Sequence, residues 1–400
     1  MPPRHPIFPQ LHCQMTIQSL TGLPMRHQSE LASESTHLVI VQPTSFCNIN
    51  CQYCYLFDSE RRSRSRMSLD TVRAVGRFLS GVKPAGRVLN LSWHAGEPLS
   101  VPPEFYESAF KILSETADCP AIAHSLQTNA TLVNDRWADL LSRWDVLVGV
   151  SLDGPARIHD MSRRDRRGRG TYGRVAAGIE MLQHHKVRMS TISVLTRYAM
   201  KFPREILDHI YLLGIRSMAF CPEEADGANS NTVTHDATTA DLYSRFVREM
   251  LRFCTEHPNV RIREIAQVDQ MLRCSPEVSA VSTESTPGAI INIATDGSVS
   301  TFSPELLGYP SSKHGPFIWG NVHEDTFATV MQNPNLLAVA TEIRRGVNRC
   351  RHQCGYYTVC GGGAPSNKLS ENGTFDSTAT KACELRIKVP TSVMLNHYGM

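Results

Sequence analysis

A chain of 400 residues sets 41 Lys and Arg against 38 Asp and Glu, a net charge of +3 that is too near balance to argue for a nucleic-acid partner. No run of about eighteen apolar residues occurs, so a membrane-spanning helix is not expected. Twelve cysteines, seven of them in short-spaced groups and none behind a secretory h-region, point to metal ligation in a reducing cytoplasm rather than to disulfides.

Residues 1–36 are rich in Pro, Ser, His and Gln without a sustained period and read as a disordered tail, with Cys13 a free thiol. From His37 onward, β-rich runs alternate with amphipathic patterns, as in βα units around parallel strands. The expected strands lie in HLVIVQP, RVLNLSW, AIAHSLQT, DVLVGVSLD, RMSTISVLT and RSMAFCP, and helices follow over 68–82, 104–117, 134–144, 172–186, 204–213 and 236–256. Ser68 stands as N-cap of the first helix, with Asp70 in its first turn and Leu69, Val72, Val75 and Leu79 as an apolar stripe. Six units fall short of a closed eightfold barrel. The expected fold is therefore α/β, a partial (β/α)6 TIM-like barrel over 37–256 with its ligands at the carboxyl ends of the strands. After residue 257, short strands, Gly and Pro turns and a late cysteine cluster suggest a second, irregular domain over 257–400 that a metal would staple.

Cys47, Cys51 and Cys54 follow the first strand in PTSFCNINCQYCYLF. One loop can close three thiolates on a single inorganic cluster, one ligand short of the usual four, and the open position suits a site that binds substrate. A zinc knuckle is the competing reading. With the aromatic Tyr53 before its third cysteine, this CxxxCxxC resembles the hallmark of radical S-adenosylmethionine (SAM) enzymes. The resemblance implies a [4Fe–4S] cluster whose free iron chelates SAM.

In WHAGEPL, after the second strand, Gly96 permits close backbone approach, Glu97 offers an acceptor and Pro98 fixes the turn. This segment looks like the GGEP-type motif that cradles the SAM amino group, with His94 and Ala95 in place of two glycines; an ordinary strand-to-helix turn is the alternative. The third and fourth strands end in SLQTNATL and VGVSLDGPARIHD, where Gln127, Asn129, Ser151 and Asp153 are candidates to bond ribose hydroxyls or the methionine carboxylate, or are turn residues. MSRRDRRGRG then holds five arginines within seven residues. Either it is a solvated loop, or Arg163 pairs with the SAM carboxylate while the others meet an acidic peptide. Arg61, Arg62, Arg64 and Arg66 carry the same two readings, an anionic leader peptide or water.

Cys350, Cys354, Cys360 and Cys383 supply four thiolates, enough for a second [4Fe–4S] cluster or a structural zinc, and the glycines after Cys360 let the chain pass close to an inorganic core. Cys119, Cys221, Cys254 and Cys274 read as buried or free thiols. The region resembles the SPASM extension of radical SAM peptide maturases, which normally carries two auxiliary clusters. Two ligand positions of the first auxiliary cluster are here Phe302, after Gly297, and Ala364, so the resemblance implies one auxiliary cluster.

Taken together, the cysteine loop, WHAGEPL, QTNATL, SLDGP, STFSPELLG and CGGGAPSNKLSENGTF are similar to the GrrM/OscB-type cyclophane-forming maturases over residues 38–385. That family implies a 5′-deoxyadenosyl radical that takes a β-hydrogen from a ribosomal precursor peptide, Gly-rich with aromatic-x-x motifs. The carbon radical then attacks an aromatic ring two residues earlier. An auxiliary cluster would accept the last electron and a carboxylate the proton: Glu305 first, then Asp296 and Glu264, each alternatively in a structural salt bridge. A flavodoxin or ferredoxin would donate electrons, and either the barrel or a separate protein would bind the leader. Alternatives are an anaerobic sulfatase-maturating enzyme, a thioether or epimerase maturase, or a peptide-binding module stapled by metals.

Overall fold

The computed structural model describes residues 35–229, 236, 238–273 and 280–399. Most of the expected tail, with Cys13, and Cys274 lie outside the described residues. Thr36, which the sequence places in the tail, is buried and donates to Gly288 O at 2.8 Å.

Each expected βα unit is present. β1 (Leu38–Val41) leads through a short α1 (Asp58–Arg62) to α2 (Leu69–Leu79); β2 (Leu89–Trp93) precedes α3 (Pro103–Glu115), and β3 (Ile122–Thr128) precedes α4 (Asp135–Arg143). β4 (Leu147–Ser151) is followed by α5 (Ala156–Ser162) and α6 (Tyr172–His184), β5 (Met189–Leu195) by α7 (Pro203–Leu212), and β6 (Ser217–Pro222) by α8 (Thr239–Glu256).

Ser68 caps α2 by accepting Thr71 N at 3.0 Å, and Asn134 caps α4 by accepting Trp137 N at 3.1 Å. The inward stripe of α2 is Val72, Val75, Phe78 and Leu79, all buried, with Leu69 packed at its edge. Burying each such side chain stabilises the fold by about 1.5–3 kcal/mol. Trp93 closes β2 beneath Tyr106 and Phe110, edge-on at 5.3 and 6.0 Å, which anchors the chain immediately before His94.

The sheet does not stop at six strands. β7 (Arg261–Ile262), which leads into α9 (Arg263–Arg273), extends one edge; β8 (Ile290–Ile293), β9 (Ser298–Thr301) and β10 (Gly320–Asn321) extend the other. The order is β10-β9-β8-β1-β2-β3-β4-β5-β6-β7, an open sheet. β8 runs parallel to β1, Leu38 opposite Ile290 and Val41 opposite Ile293, whereas β9 and β10 are antiparallel. With six strands, β1 would present an unpaired edge; the wholly buried IINI run of β8 covers it.

Beyond β10 lie α10 (Phe327–Met331), α11 (Pro334–Gln353), α12 (Tyr357–Cys360), α13 (Pro365–Asn372) and α14 (Lys381–Cys383). A π-helical turn, Glu384–Lys388, then runs into α15 (Val389–Tyr398). α15 returns to the barrel, where Tyr398 Oη donates to Asp269 Oδ1 of α9 at 2.6 Å.

Candidate functional site

The loop after β1 carries Cys47, Cys51 and Cys54 and is tied down from both sides. Cys47 N donates to Arg61 O at 3.0 Å, and the buried Arg61 guanidinium donates to Leu56 O at 3.0 Å and to Asn50 Oδ1. Arg61 is therefore a staple of the cysteine loop, neither solvated nor free for a leader peptide. From the opposite side Asn50 N donates to Arg164 O at 2.7 Å, Gln52 N to Ser162 O at 3.0 Å, and Arg166 Nε to Cys47 O at 3.0 Å. The arginine-rich segment is thus a wall of the cysteine loop, although Arg164, Arg167 and Arg169 do face solvent.

Arg163 is buried, pairs with Asp153 at 2.9 Å, lies 5.3 Å from the centre of the Tyr53 ring and approaches Cys51 Sγ at 3.9 Å. Asp153 also accepts Tyr53 Oη and Val194 N. Its oxygens thus serve the protein's own network. Burial pushes the Cys47 thiol up to about 12, with Glu97 adding to it, and Cys51 to about 11, against which Arg163 pulls. Thiolates in such a pocket need a nearby positive charge to offset desolvation, which a bound metal centre would supply.

The turn after β2 explains its own composition. Ala95 holds φ at +80° and Gly96 at +54°. A Cβ on Gly96 would lie 2.4 Å from Phe46 O, so the glycine lets the turn lie against the cysteine loop, where Glu97 N donates to Phe46 O at 2.7 Å. Pro98 begins a single 3-10 turn in which the Glu97 carboxylate caps Leu99 N at 3.0 Å. That carboxylate is fully buried and also accepts Thr128 Oγ1 at 2.6 Å and Asn129 N at 2.8 Å, bolting the turn to the end of β3; burial pushes it up to about 7. His94 Nδ1 is buried without a hydrogen-bond partner among the described residues, and burial lowers this imidazole to about 4.

Asn129 in turn donates to Asn48 Oδ1 at 2.9 Å and approaches Cys47 Sγ at 3.9 Å, while Gln127 Nε2 donates to Ser151 Oγ at 3.0 Å. These residues, with Tyr53, Asp153 and Arg163, gather at the carboxyl ends of β1 to β4.

The second cysteine group converges as well. Cys350 lies in the last turn of α11, Cys354 caps it, Cys360 ends α12 and Cys383 ends α14. All four line one small, partly open cavity together with Lys368 and Ala364. Gly361, Gly362 and Gly363 hold φ of +70°, +113° and +77°. A Cβ on Gly361 would fall 2.5 Å from Ala280 O and one on Gly362 2.8 Å from Val347, so close passage around this cavity demands these two glycines, while Gly363 answers to its positive φ. Phe302 is fully buried at φ +79°.

Between the two groups lies a cluster of carboxylates. Burial, reinforced by Asp226, pushes Glu305 up to about 8, and Asp226 itself rises to about 6 on burial. Tyr55, next to Cys54, feels the Glu305 charge, and its hydroxyl is buried without a hydrogen-bond partner among the described residues. On the far side Arg386 pairs with Glu224 at 3.4 Å and is held charged by Glu224, Glu284 and Glu305. Asp226, Glu224, Tyr55 and Arg386 are not among the residues anticipated from sequence. The polar PEEADG break after β6 was the signal for Glu224 and Asp226, equivalent to the breaks after β2, β3 and β4. The other two anticipated carboxylates sit elsewhere: Asp296 is exposed and caps Ser298 N at 3.0 Å in the β8–β9 turn, and Glu264 accepts Phe220 N at 3.0 Å and pairs with Arg263 at 2.6 Å.

The donor sets fit the groups inferred from sequence: three thiols on one loop, the unsatisfied His94 Nδ1, a turn held open at Gly96, and four thiols around one cavity. The Radical SAM superfamily profile matches residues 41–209. An uncharacterised protein of Synechocystis sp. is 36% identical over 90% of this chain and 91% of its own. The serine-type anaerobic sulfatase-maturating enzyme of Klebsiella aerogenes is 26% identical over 83% of this chain and 80% of its own. The solved structure of native anSMEcpe with bound AdoMet and Cp18Cys peptide shares the fold, with a TM-score of 0.72 at 19% identity over 90% of this chain and 97% of that one. Residues 41–209 thus form a radical SAM domain, whose cofactors are a [4Fe–4S] cluster and SAM.

Proposed function

We propose that this enzyme forms a carbon–carbon cross-link between an aromatic ring and the β-carbon of a nearby residue in a ribosomal precursor peptide. The observation that carries this reading is the acidic loop after β6, which ties the first cysteine loop to α13 beside the second cysteine group, Ala228 N donating to Tyr55 O at 2.8 Å and Ser370 Oγ to Asp226 Oδ1 at 3.0 Å, with Glu305 within electrostatic reach of Asp226. Bound at Cys47, Cys51 and Cys54, a reduced cluster and SAM supply the 5′-deoxyadenosyl radical, and one auxiliary cluster at Cys350, Cys354, Cys360 and Cys383 supplies the electron acceptor.

The chain's own residues hold, orient and deprotonate. Gly96 and Glu97 fix the turn beside the cysteine loop, and His94 offers an unsatisfied nitrogen for a polar group of the cofactor. Gln127, Ser151 and Asn129 shape the floor at the strand ends. Glu305, with Asp226 beside it, receives the ring proton as aromaticity returns. Overall the peptide loses one hydrogen atom, one proton and one electron per ring, that is, two hydrogens. The buried Phe302, and Ala364 in the wall of the surviving cavity, support a single auxiliary cluster. A flavodoxin or ferredoxin supplies electrons, and the leader meets either the barrel or a separate binding protein.

A second reading, oxidation of Ser or Cys to formylglycine, is favoured by the similarity to the sulfatase-maturating enzyme of Klebsiella aerogenes. Coexpression with a Gly-rich, aromatic-x-x peptide encoded nearby distinguishes the two. Cross-linking removes two hydrogens per ring and leaves a product that tandem mass spectrometry cannot fragment inside the ring and that hydrazides do not label. A hydrazide-reactive aldehyde would sink the cross-linking reading.

A further inference from the structure

Lys368 is 4% exposed. Among the described residues its ammonium has no carboxylate within ion-pair range, and its hydrogen-bond acceptor is Cys350 Sγ at 3.6 Å. Room for it comes from α11, where a Cβ on Gly346 would lie 3.2 Å from Lys368 Nζ and 2.1 Å from Phe375 O. A buried ammonium whose hydrogen-bond acceptor is a thiol, with Asp376 within electrostatic reach but outside ion-pair distance, is unfavourable to the fold. It becomes favourable once Cys350 is a thiolate on a cluster of net negative charge.

Helix α13 presents other groups elsewhere. Asn367 Nδ2 donates to Glu224 at 2.9 Å and Ser370 Oγ to Asp226 at 3.0 Å, so one helix touches both the carboxylate cluster and the thiol cavity.

We propose that Lys368 is a positioning residue that raises the reduction potential of the auxiliary cluster through Cys350, so that this cluster takes the electron released when the substrate radical is oxidised. Adding an electron makes the cluster more negative. A fixed cation against one of its sulfurs stabilises that reduced form more than the oxidised one. The cluster held by these cysteines would take the electron of the cyclised substrate radical while the proton goes to Glu305, within electrostatic reach of the Asp226 that the same helix contacts. The proposal rests on the assignment of the auxiliary cluster made above.

The test uses reconstituted full-length protein with the substitutions Lys368→Met, Lys368→Gln and Lys368→Arg. Iron content is measured first, then the midpoint of the auxiliary cluster by EPR-monitored redox titration. The expected result is that both neutral variants shift the oxidised/reduced equilibrium at least tenfold toward the oxidised form, about 59 mV for one electron, and that Lys368→Arg restores most of the shift. Cross-linked product per 5′-deoxyadenosine released falls in parallel. Neutral variants that keep their iron and the wild-type midpoint overturn the proposal for Lys368 alone. Loss of the auxiliary irons from both neutral variants but not from Lys368→Arg overturns it in favour of a purely structural role. Wild-type protein holding the iron of one cluster refutes the cluster assignment itself.

Discussion

Replacing Glu305 with Gln removes the group that we assign as proton acceptor without changing its volume. Burial and the Asp226 charge raise this carboxyl to about 8. At pH 7 such a group is ionised in roughly one molecule in eleven, and at pH 9 in roughly ten of eleven. If its ionised form takes the ring proton, cross-linking by the wild-type enzyme rises about tenfold between those pH values. Single-turnover formation of cross-linked peptide, followed by mass spectrometry at saturating SAM, reads this directly. Release of 5′-deoxyadenosine, which reports hydrogen abstraction, precedes the proton loss and should lack the profile. Glu305→Gln should lower the cross-linking rate and flatten its pH dependence. An unchanged rate and profile in the variant would refute the assignment.

The same shift has a stability signature of fixed sign. The folded pKa of about 8 lies above the reference value of 4.5, so between them the unfolded chain releases a proton that the folded chain keeps. Stability therefore declines as pH rises through this window and levels off above 8. Asp226, raised from 3.8 to about 6, adds a decline of the same sign over its own window. The variant should lose the Glu305 part of this slope.

Three further outcomes follow from the geometry. Gly96→Ala places a Cβ 2.4 Å from Phe46 O and should reduce iron retained at Cys47, Cys51 and Cys54, whereas Ala95→Gly relieves a φ of +80° and should gain about 1 kcal/mol in thermal unfolding. Arg163→Met leaves Asp153 buried without its cation and should cost about 3–5 kcal/mol, with Asp153→Asn in addition restoring part of the loss; a double variant that loses the sum of the two single losses would mean that the pair is not coupled. Reconstituted wild-type protein should bind about eight irons per chain and Cys360→Ala about four, and a wild-type value near twelve would show that Phe302 and Ala364 were wrongly taken as lost ligands.

Much of the barrel was legible because its signals are local. β-branched runs such as HLVIVQP, the Ser68 cap and the α2 stripe depend on neighbours within a few residues, and the structure contains all of them. The additional strands β7 to β10 were not legible as parts of the same sheet. Their partners are remote, β1 pairing with a strand some 250 residues later, and nothing in a four-residue apolar run names its neighbour. Charge runs were least legible. Arg61 and Arg163 share segments with exposed arginines yet are buried, because burial of a guanidinium depends on Asn50 or Asp153 arriving from elsewhere in the chain.

The sequence by itself determined which thiols are grouped, since residue type, spacing and flanking glycines are properties of short stretches. Only the tertiary structure decided what lies between them. It brought Tyr55, Asp226, Glu305 and Arg386 from four separated segments within electrostatic reach of one another, and it turned Lys368 toward Cys350. Those are electrostatic relations between residues far apart in the chain, set by the way the elements pack, and no local pattern encodes them.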